Sequence, residues 1–528
     1  MPGSLAPLDW GVILLYFALL AASGVWINRR SQKTTDDYFR GGGRVPAWAA
    51  AVSVVATSMS AASFIGVPQQ AYVGDLTYLS TNIGMVLAAI VIAFVFVPAF
   101  YRARVQTIYA YLDTRLGEPA GRAASLAFMV GRVLASGARI YIGAIPASLV
   151  LFGDLAPGHL VVAIAVLSVV GVVYTLVGGV ESVIWSDVIQ MAILLGACIA
   201  AIVVIASRLN AGFGEAIDAL ASGGAGGASK LTLFDLSLDP HAAFSLPAAF
   251  IGFTIMGIGS YGVDQDLAQR LLTCRDAKAG ARSIIGGILI GIPSVALFLV
   301  VGLLLFLFYQ RPDLVAGEAV RPPDDSRQVF LAFIMDEMPA GLSGLMLAGL
   351  FAAGLSSLNS AINAMSSTFI NDFYRRARPG ASEAALVRAG RVAVAAWGVV
   401  LGLFACGCVW LYGRHAGEGG TLLTFALTVM TFAYAGLIGV FFTALFTKRG
   451  NGASAIAALI VGFIAVGLMQ PMFWGFVVDL DARRAADPGD ALLWVLDLAF
   501  VWKLTIASGL SFGVCVVGKS GMTTHGAG

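Results

Sequence analysis

The stretch Val54-Val55-Ala56-Thr57-Ser58-Met59-Ser60-Ala61-Ala62-Ser63-Phe64-Ile65-Gly66-Val67-Pro68 decides how this chain is read. Thr57, Ser58, Ser60 and Ser63 set four hydroxyls within seven positions of an apolar run, and Gly66 and Pro68 follow. Such a stretch predicts a helix that unwinds at mid-membrane, where freed carbonyls need a partner and a cation is a good one. The same hydroxyls also suit serines that bond back to their own helix or pack against a neighbour. A second stretch, Gly257-Ile258-Gly259-Ser260-Tyr261-Gly262-Val263-Asp264-Gln265, is polar and glycine-interrupted in the same way, five spans further on. That spacing is what an inverted repeat of five plus five helices, each opening on a broken helix, would produce.

The surrounding sequence is built for lipid. Of 528 residues, 59% are apolar and 12% charged, where a soluble domain carries about a quarter charged residues. A net charge of +2 gives no reason to expect a nucleic-acid partner. A bilayer core of about 30 Å needs roughly 20 apolar residues per helix. Thirteen candidate spans meet or approach that length, near residues 10–28, 47–73, 79–101, 122–151, 159–180, 184–207, 244–270, 281–309, 338–373, 386–412, 420–446, 452–474 and 493–518. The expected fold is all-α and polytopic, one membrane domain over residues 1–528. A peripheral first helix (10–28) precedes the two inverted repeats (47–207 and 244–446), and two C-terminal helices (452–518) follow.

Asp9 precedes the first apolar run and Arg29 and Arg30 follow it, the reverse of a cleaved signal and right for a retained helix with its C-terminal end in the cytoplasm. Alternating from there puts 21 Lys and Arg residues inside and 8 outside, predicting an outside N-terminus and a cytoplasmic C-terminus. Arg270, Arg275, Lys278 and Arg282 are among the inside group. The outward loop from Asn210 to Phe244, with Gly223, Gly224, Gly226 and Gly227, predicts one short surface helix and no chemistry, and no soluble module is expected after the last span. The five cysteines form no C-x-x-C pair, so no disulfide framework or metal knuckle is expected.

Polar residues inside other spans are candidates for function, because charge and hydrogen-bonding groups are costly in lipid. In the ninth span Ser356, Asn359, Ser360 and Asn363 share one helical face and Ser357 borders it, a stripe expected to face the bundle interior. Asp187 opens the sixth span and is either an intramembrane carboxylate or a cap at the cytoplasmic helix end. Arg132 and Arg139 lie seven residues apart on one face of the fourth span. Each needs an anion, which Asp187 or a substrate carboxylate would supply.

Tyr174-Thr175-Leu176-Val177-Gly178-Gly179-Val180-Glu181-Ser182-Val183-Ile184-Trp185-Ser186-Asp187-Val188-Ile189-Gln190 resembles the Y-T-x-x-G-G-x-x-x-V-x-W-[ST]-D-x-x-Q run of the sodium/solute symporter family, the sodium-coupled sugar, proline, pantothenate and sialic acid carriers. Asp37-Tyr38-Phe39 with Gly41-Gly42-Gly43-Arg44, Asp264-Gln265 with Gln269-Arg270, and Asp372-Phe373-Tyr374 support the likeness. The resemblance implies a leucine-transporter-like core, alternating access, Na⁺ as the coupling ion and no organic cofactor. It implies a principal sodium site of the carbonyls of Ala56, Met59 and Ala353 with the hydroxyls of Ser356 and Ser357. A second site in some members maps to Asp187, Ser356, Asn359 and Ser360, with Asn359 in place of a usual hydroxyl. Substrate positions map to Ser58, Ser60, Ser63, Asn82, Ser260 and Tyr261, and Arg139 matches an arginine that holds a carboxylate in the sialic acid carriers. Ala62, Ser63 and Asn82 stand where the sugar carriers have Glu, Gln and Glu, so a galactose-type pocket does not carry over.

The expectation is therefore Na⁺-driven symport of a small polar solute across a bacterial-type inner membrane. The lipid bilayer and the solute are its partners, and no obligatory protein partner is evident. An intramembrane enzyme would need a Ser-His, paired-Asp or metal constellation at depth, and His159, His241, His415 and His525 all lie at loops or the tail. The rivals are a proton-coupled carrier on the same scaffold, separated by replacing Na⁺ with choline at fixed pH, and a non-transporting channel or sensor, separated by counterflow.

Overall fold

The computed structural model describes residues 5–28, 34–223, 227–317, 320–413, 421–474 and 490–519, with 478, 480, 483, 484 and 487. Arg29, Arg30, Gly224, Gly226, His415 and His525, all named above, lie outside the described residues.

The chain is a bundle of apolar helices. In order they are α1 (Pro7–Asn28), α2 (Ala47–Ser58), α3 (Ala61–Val73), α4 (Thr77–Ala103), α5 (Tyr109–Leu116), α6 (Glu118–Phe152), α7 (Pro157–Leu176), α8 (Gly179–Arg208), α9 (Ala248–Val263), α10 (Gln265–Leu272), α11 (Ala277–Gln310), α12 (Leu342–Ala377), α13 (Glu383–Gly413), α14 (Leu422–Phe446), α15 (Gly452–Leu468) and α16 (Phe500–Val517). Among the described residues, nine helices are long and apolar enough to cross a membrane, and α2 with α3 makes a tenth if the bent pair is one span.

Exposure tells centre from periphery. Val162, Val166, Val169 and Val173 of α7 are exposed at helical spacing, as are Val392, Val399 and Leu403 of α13, and these stripes form lipid-facing surfaces. The serine-rich helix α12 is different: Ala353, Ser356, Ser357, Asn359, Ser360 and Asn363 are all buried. Its small side chains let neighbouring helices come close, and its hydroxyls are kept out of lipid.

The break predicted in the second span falls at Met59 and Ser60, where α2 and α3 meet at 66°. Met59 takes an extended conformation (φ −84°, ψ 103°), and Ser60 restarts the helix through a capping box with Ser63. Gly66 and Pro68 sit within α3 without breaking it. Gly66 serves close approach instead, since a Cβ there would stand 2.9 Å from the backbone nitrogen of Leu423. The second break is at Asp264 (φ −96°, ψ 117°), whose carboxylate caps α10 by accepting from the Asp266 amide at 2.9 Å.

The Tyr174 to Gln190 run is a corner between two spans. Gly179 adopts φ 59°, ψ −166°, a conformation for which glycine is needed, and joins α7 to α8 without a loop. The Tyr174 hydroxyl bonds the Ser182 carbonyl across that corner at 3.3 Å. Gln190 reaches the Tyr16 hydroxyl at 3.2 Å and ties α1 to the bundle.

Candidate functional site

The last turn of α2 closes where the Met59 amide bonds the Val55 carbonyl at 2.9 Å. The carbonyls that follow have no further helical turn to bond. Helix α12 lies against them, and the Ser357 hydroxyl donates to the Thr57 carbonyl at 3.1 Å. Ala56, Met59, Ala353, Ser356 and Ser357, the five residues expected at the principal sodium site, are all buried here between α2 and α12. Carbonyl and hydroxyl oxygens are hard, uncharged ligands suited to an alkali cation that must also leave.

Two turns into α8, Asp187 is fully buried, so it is an intramembrane carboxylate and no cytoplasmic helix cap. Its Oδ1 accepts from Ser356 at 2.6 Å and its Oδ2 from Ser53 at 2.5 Å, with Thr57 Oγ1 3.3 Å away. The cation beside it corrects the expectation drawn from the fourth span. Neither Arg132 nor Arg139 meets Asp187. Arg270 does, with Nη2 at 3.3 Å from Oδ2, while its Nε donates to Ser53 at 2.8 Å. Arg270 is only 2% exposed and is no cytoplasmic loop cation. It also bonds Ser360 and Asp266. Arg132 in turn pairs with Asp264 at 3.1 Å and with Asp266. Asp187, Arg270, Asp266, Arg132 and Asp264 thus form a buried row of alternating charge, each ion held by opposite neighbours as low dielectric demands.

Of the four residues expected at a second sodium site, Asp187, Ser356 and Ser360 converge and Asn359 does not join them. The Asn359 amide is buried with neither atom hydrogen-bonded, and its Oδ1 faces Gly171 of α7, where an added Cβ would stand 3.1 Å away.

Both breaks open onto one cavity of about 120 Å³. Ser58, Ser60, Ser63, Asn82, Arg139, Ser260 and Tyr261, the seven positions expected to meet substrate, all line it. So do Arg132 and a set of apolar side chains, among them Met59, Met85, Met256 and Met430. Arg139, half-buried, differs from the two buried arginines of this row. Its Nη2 touches the Met430 sulfur at 3.0 Å, and it has no carboxylate within ion-pair distance among the described residues. A guanidinium without a protein anion, set among hydroxyls and methionines, has the chemistry to pair with an anionic group.

Further contacts that the sequence did not point to hold the breaks. Gln69 of α3 bridges Ser326 at 3.0 Å and the Leu422 amide at 3.2 Å, closing α3 against the start of α14. Helix α5 supports the other break: the Tyr109 hydroxyl donates to the Val263 carbonyl at 3.0 Å, and the Ile108 amide to Gln265 Oε1 at 2.9 Å. Lys230, in the loop expected to carry no chemistry, is buried. Its ammonium donates to the carbonyls of Tyr72 and Gly74 at 2.9 and 2.8 Å, at the end of α3, and lies 4.5 Å over the Phe306 ring. Burial draws this ammonium below its ordinary pKa.

Comparison with known proteins identifies the family. Residues 38–462 match the model of the sodium:solute symporter family. The chain is 31% identical to the sodium/sialic acid symporter SiaT of Proteus mirabilis, over 87% of this chain and 88% of that one. It is 29% identical to the sodium/sialic acid symporter NanT of Aliivibrio fischeri, over 88% of each. Among solved structures it superimposes on a substrate-bound, outward-open Na⁺-coupled sialic acid symporter with a TM-score of 0.76, at 28% identity and over 97% of both chains. The chain therefore belongs to the sodium:solute symporter family, and it is a multi-pass membrane protein.

Proposed function

We propose that this protein couples inward movement of Na⁺ to uptake of a small solute bearing a carboxylate, by alternating access around the cavity between the two broken helices. The observation that carries this reading is Arg139, a cavity guanidinium with no carboxylate partner among the described residues. The sodium/sialic acid relatives support an acidic solute, and Ala62, Ser63 and Asn82 do not supply a galactose-type pocket. In this reading Ser58, Ser60, Ser63, Asn82, Ser260 and Tyr261 complete the solute site. Ala56, Met59, Ala353, Ser356 and Ser357 hold the driving Na⁺, and Asp187, Ser356 and Ser360 take a second Na⁺ when Arg270 yields.

The two repeats span residues 47–207 and 244–446 and move against each other. The N-terminus is outside, the C-terminus cytoplasmic, and the membrane is the inner one. The protein carries out no chemical conversion and needs no organic cofactor. Each Na⁺ moved inward contributes about 2.3 kcal/mol per 100 mV before any concentration gradient.

Proteoliposome uptake tests the proposal. A panel of sugar acids, small carboxylates, amino acids and neutral sugars is first screened by thermal shift with and without Na⁺, since a transported solute stabilises more when the ion is present. The expected result is uptake of an acidic hit that stops when choline replaces Na⁺ at fixed pH. Uptake unchanged in choline but driven by a pH gradient would make the protein a proton symporter, and a neutral hit would remove the role given to Arg139.

A further inference from the structure

A second cavity, of about 290 Å³, lies where α2 and α11 begin, and its walls carry Arg44, Arg275, Lys278 and Arg282 against one carboxylate, Asp276. That carboxylate is already engaged, accepting from the Ala279 amide at 2.8 Å and from Arg275 at 3.1 Å. Arg44 leans to Asp37 at 3.1 Å. Lys278 and Arg282 have no carboxylate partner among the described residues. Helix α2 starts after Pro46 with no side-chain cap, so its first amides add to the positive wall. One residue beyond that wall, Trp48 is 55% exposed and meets Trp185 edge-on at 5.6 Å. Exposed indoles at the end of a membrane helix settle at headgroup depth. The excess of cations therefore lies in the layer where lipid phosphates are found, beside apolar helix faces that acyl chains can cover.

We propose that this cavity binds the phosphate headgroup of an anionic phospholipid. Its walls give the site a purpose. Arg44 stands at the entry to α2, the first half of one broken helix, while Arg275, Lys278 and Arg282 follow α10, the second half of the other. The two segments already touch, the Val45 amide donating to the Thr273 carbonyl at 3.3 Å. A phosphate held from both sides staples the two broken helices together at this end and so slows the step in which they separate. Nothing in this depends on which ion or solute is carried.

The test uses the whole protein in nanodiscs of phosphatidylcholine with and without phosphatidylglycerol, reading retained lipid by native mass spectrometry. Wild type is expected to keep phosphatidylglycerol in preference to phosphatidylcholine. The double variant Lys278→Gln/Arg282→Gln, altered only at exposed side chains, is expected to hold it about thirtyfold more weakly, each basic residue near the surface contributing roughly a factor of five. Added inorganic phosphate should not displace the lipid. No preference for phosphatidylglycerol in wild type, or equal retention by both proteins, overturns the site. Displacement by inorganic phosphate overturns the lipid as its occupant.

Discussion

Replacing Arg270 with Met removes the cation beside Asp187 while keeping the length and much of the volume of the side chain. Asp266 retains Arg132, so the deficit falls on Asp187, which keeps Ser53 and Ser356 as donors and has no other cation within ion-pair distance among the described residues. Breaking a buried pair from one side costs about 3–5 kcal/mol. If Asp187, Ser356 and Ser360 accept Na⁺, the vacated space lets the ion take the place of the guanidinium. At a hundredfold excess over its dissociation constant the ion restores about 2.7 kcal/mol. Thermal unfolding in detergent, in NaCl and in choline chloride at matched ionic strength, reads the difference. The Arg270→Met variant should lose its full increment in choline and roughly half of it or less in Na⁺. The double variant Arg270→Met/Asp187→Asn should recover stability and lose the extra response to Na⁺. Equal destabilisation of Arg270→Met in both salts would refute Asp187 as a cation site.

Three other substitutions probe the rest of the site. Ser357→Ala removes a hydroxyl from the junction of α2 and α12, and should raise the Na⁺ concentration for half-maximal uptake while leaving membrane insertion intact; unchanged sodium activation would remove Ser357 from the site. Arg139→Gln should lower uptake of an acidic solute by about ten- to a hundredfold, the worth of one charged hydrogen bond, with little loss of thermal stability; a protein that transports normally would show that Arg139 does not meet the solute. Gly66→Ala forces a Cβ to within 2.9 Å of the Leu423 nitrogen, an overpacking that costs about 1–3 kcal/mol, and should slow turnover measured by counterflow more than it changes solute affinity.

What the sequence made legible were features written along one helix. Apolar runs show as length, and the hydroxyl cluster from Thr57 to Ser63 marks the break because a polar mid-membrane segment has few other uses. The serine stripe of α12 shows by its helical spacing that it faces inward. Partners across helices were not legible in the same way. Arg270 follows an apolar run and precedes Arg275 and Lys278, so along the chain it looks like one more cytoplasmic cation. Only the return of α10 into the bundle, after the turn at Asp264, carries it to Asp187. Arg132 and Arg139 share a helix face and a residue type, yet one is satisfied by Asp264 and Asp266 and the other by no carboxylate. That difference comes from α10 lying beside one and Met430 beside the other. Asn359 matches the hydroxyl it replaces by position, but its longer amide turns towards Gly171 and leaves the cation-site group.

Lys230 gives the molecule a handle that is not in the bundle. Its ammonium ties the loop between α8 and α9 to the last carbonyls of α3, and the Leu76 amide just beyond α3 donates to the Thr232 carbonyl of the same loop at 3.1 Å, so loop and helix end must shift together or part here. An antibody fragment that grips the loop in its docked form would therefore hold α3 in place. It would arrest the carrier without entering the solute cavity, competing with neither solute nor sodium.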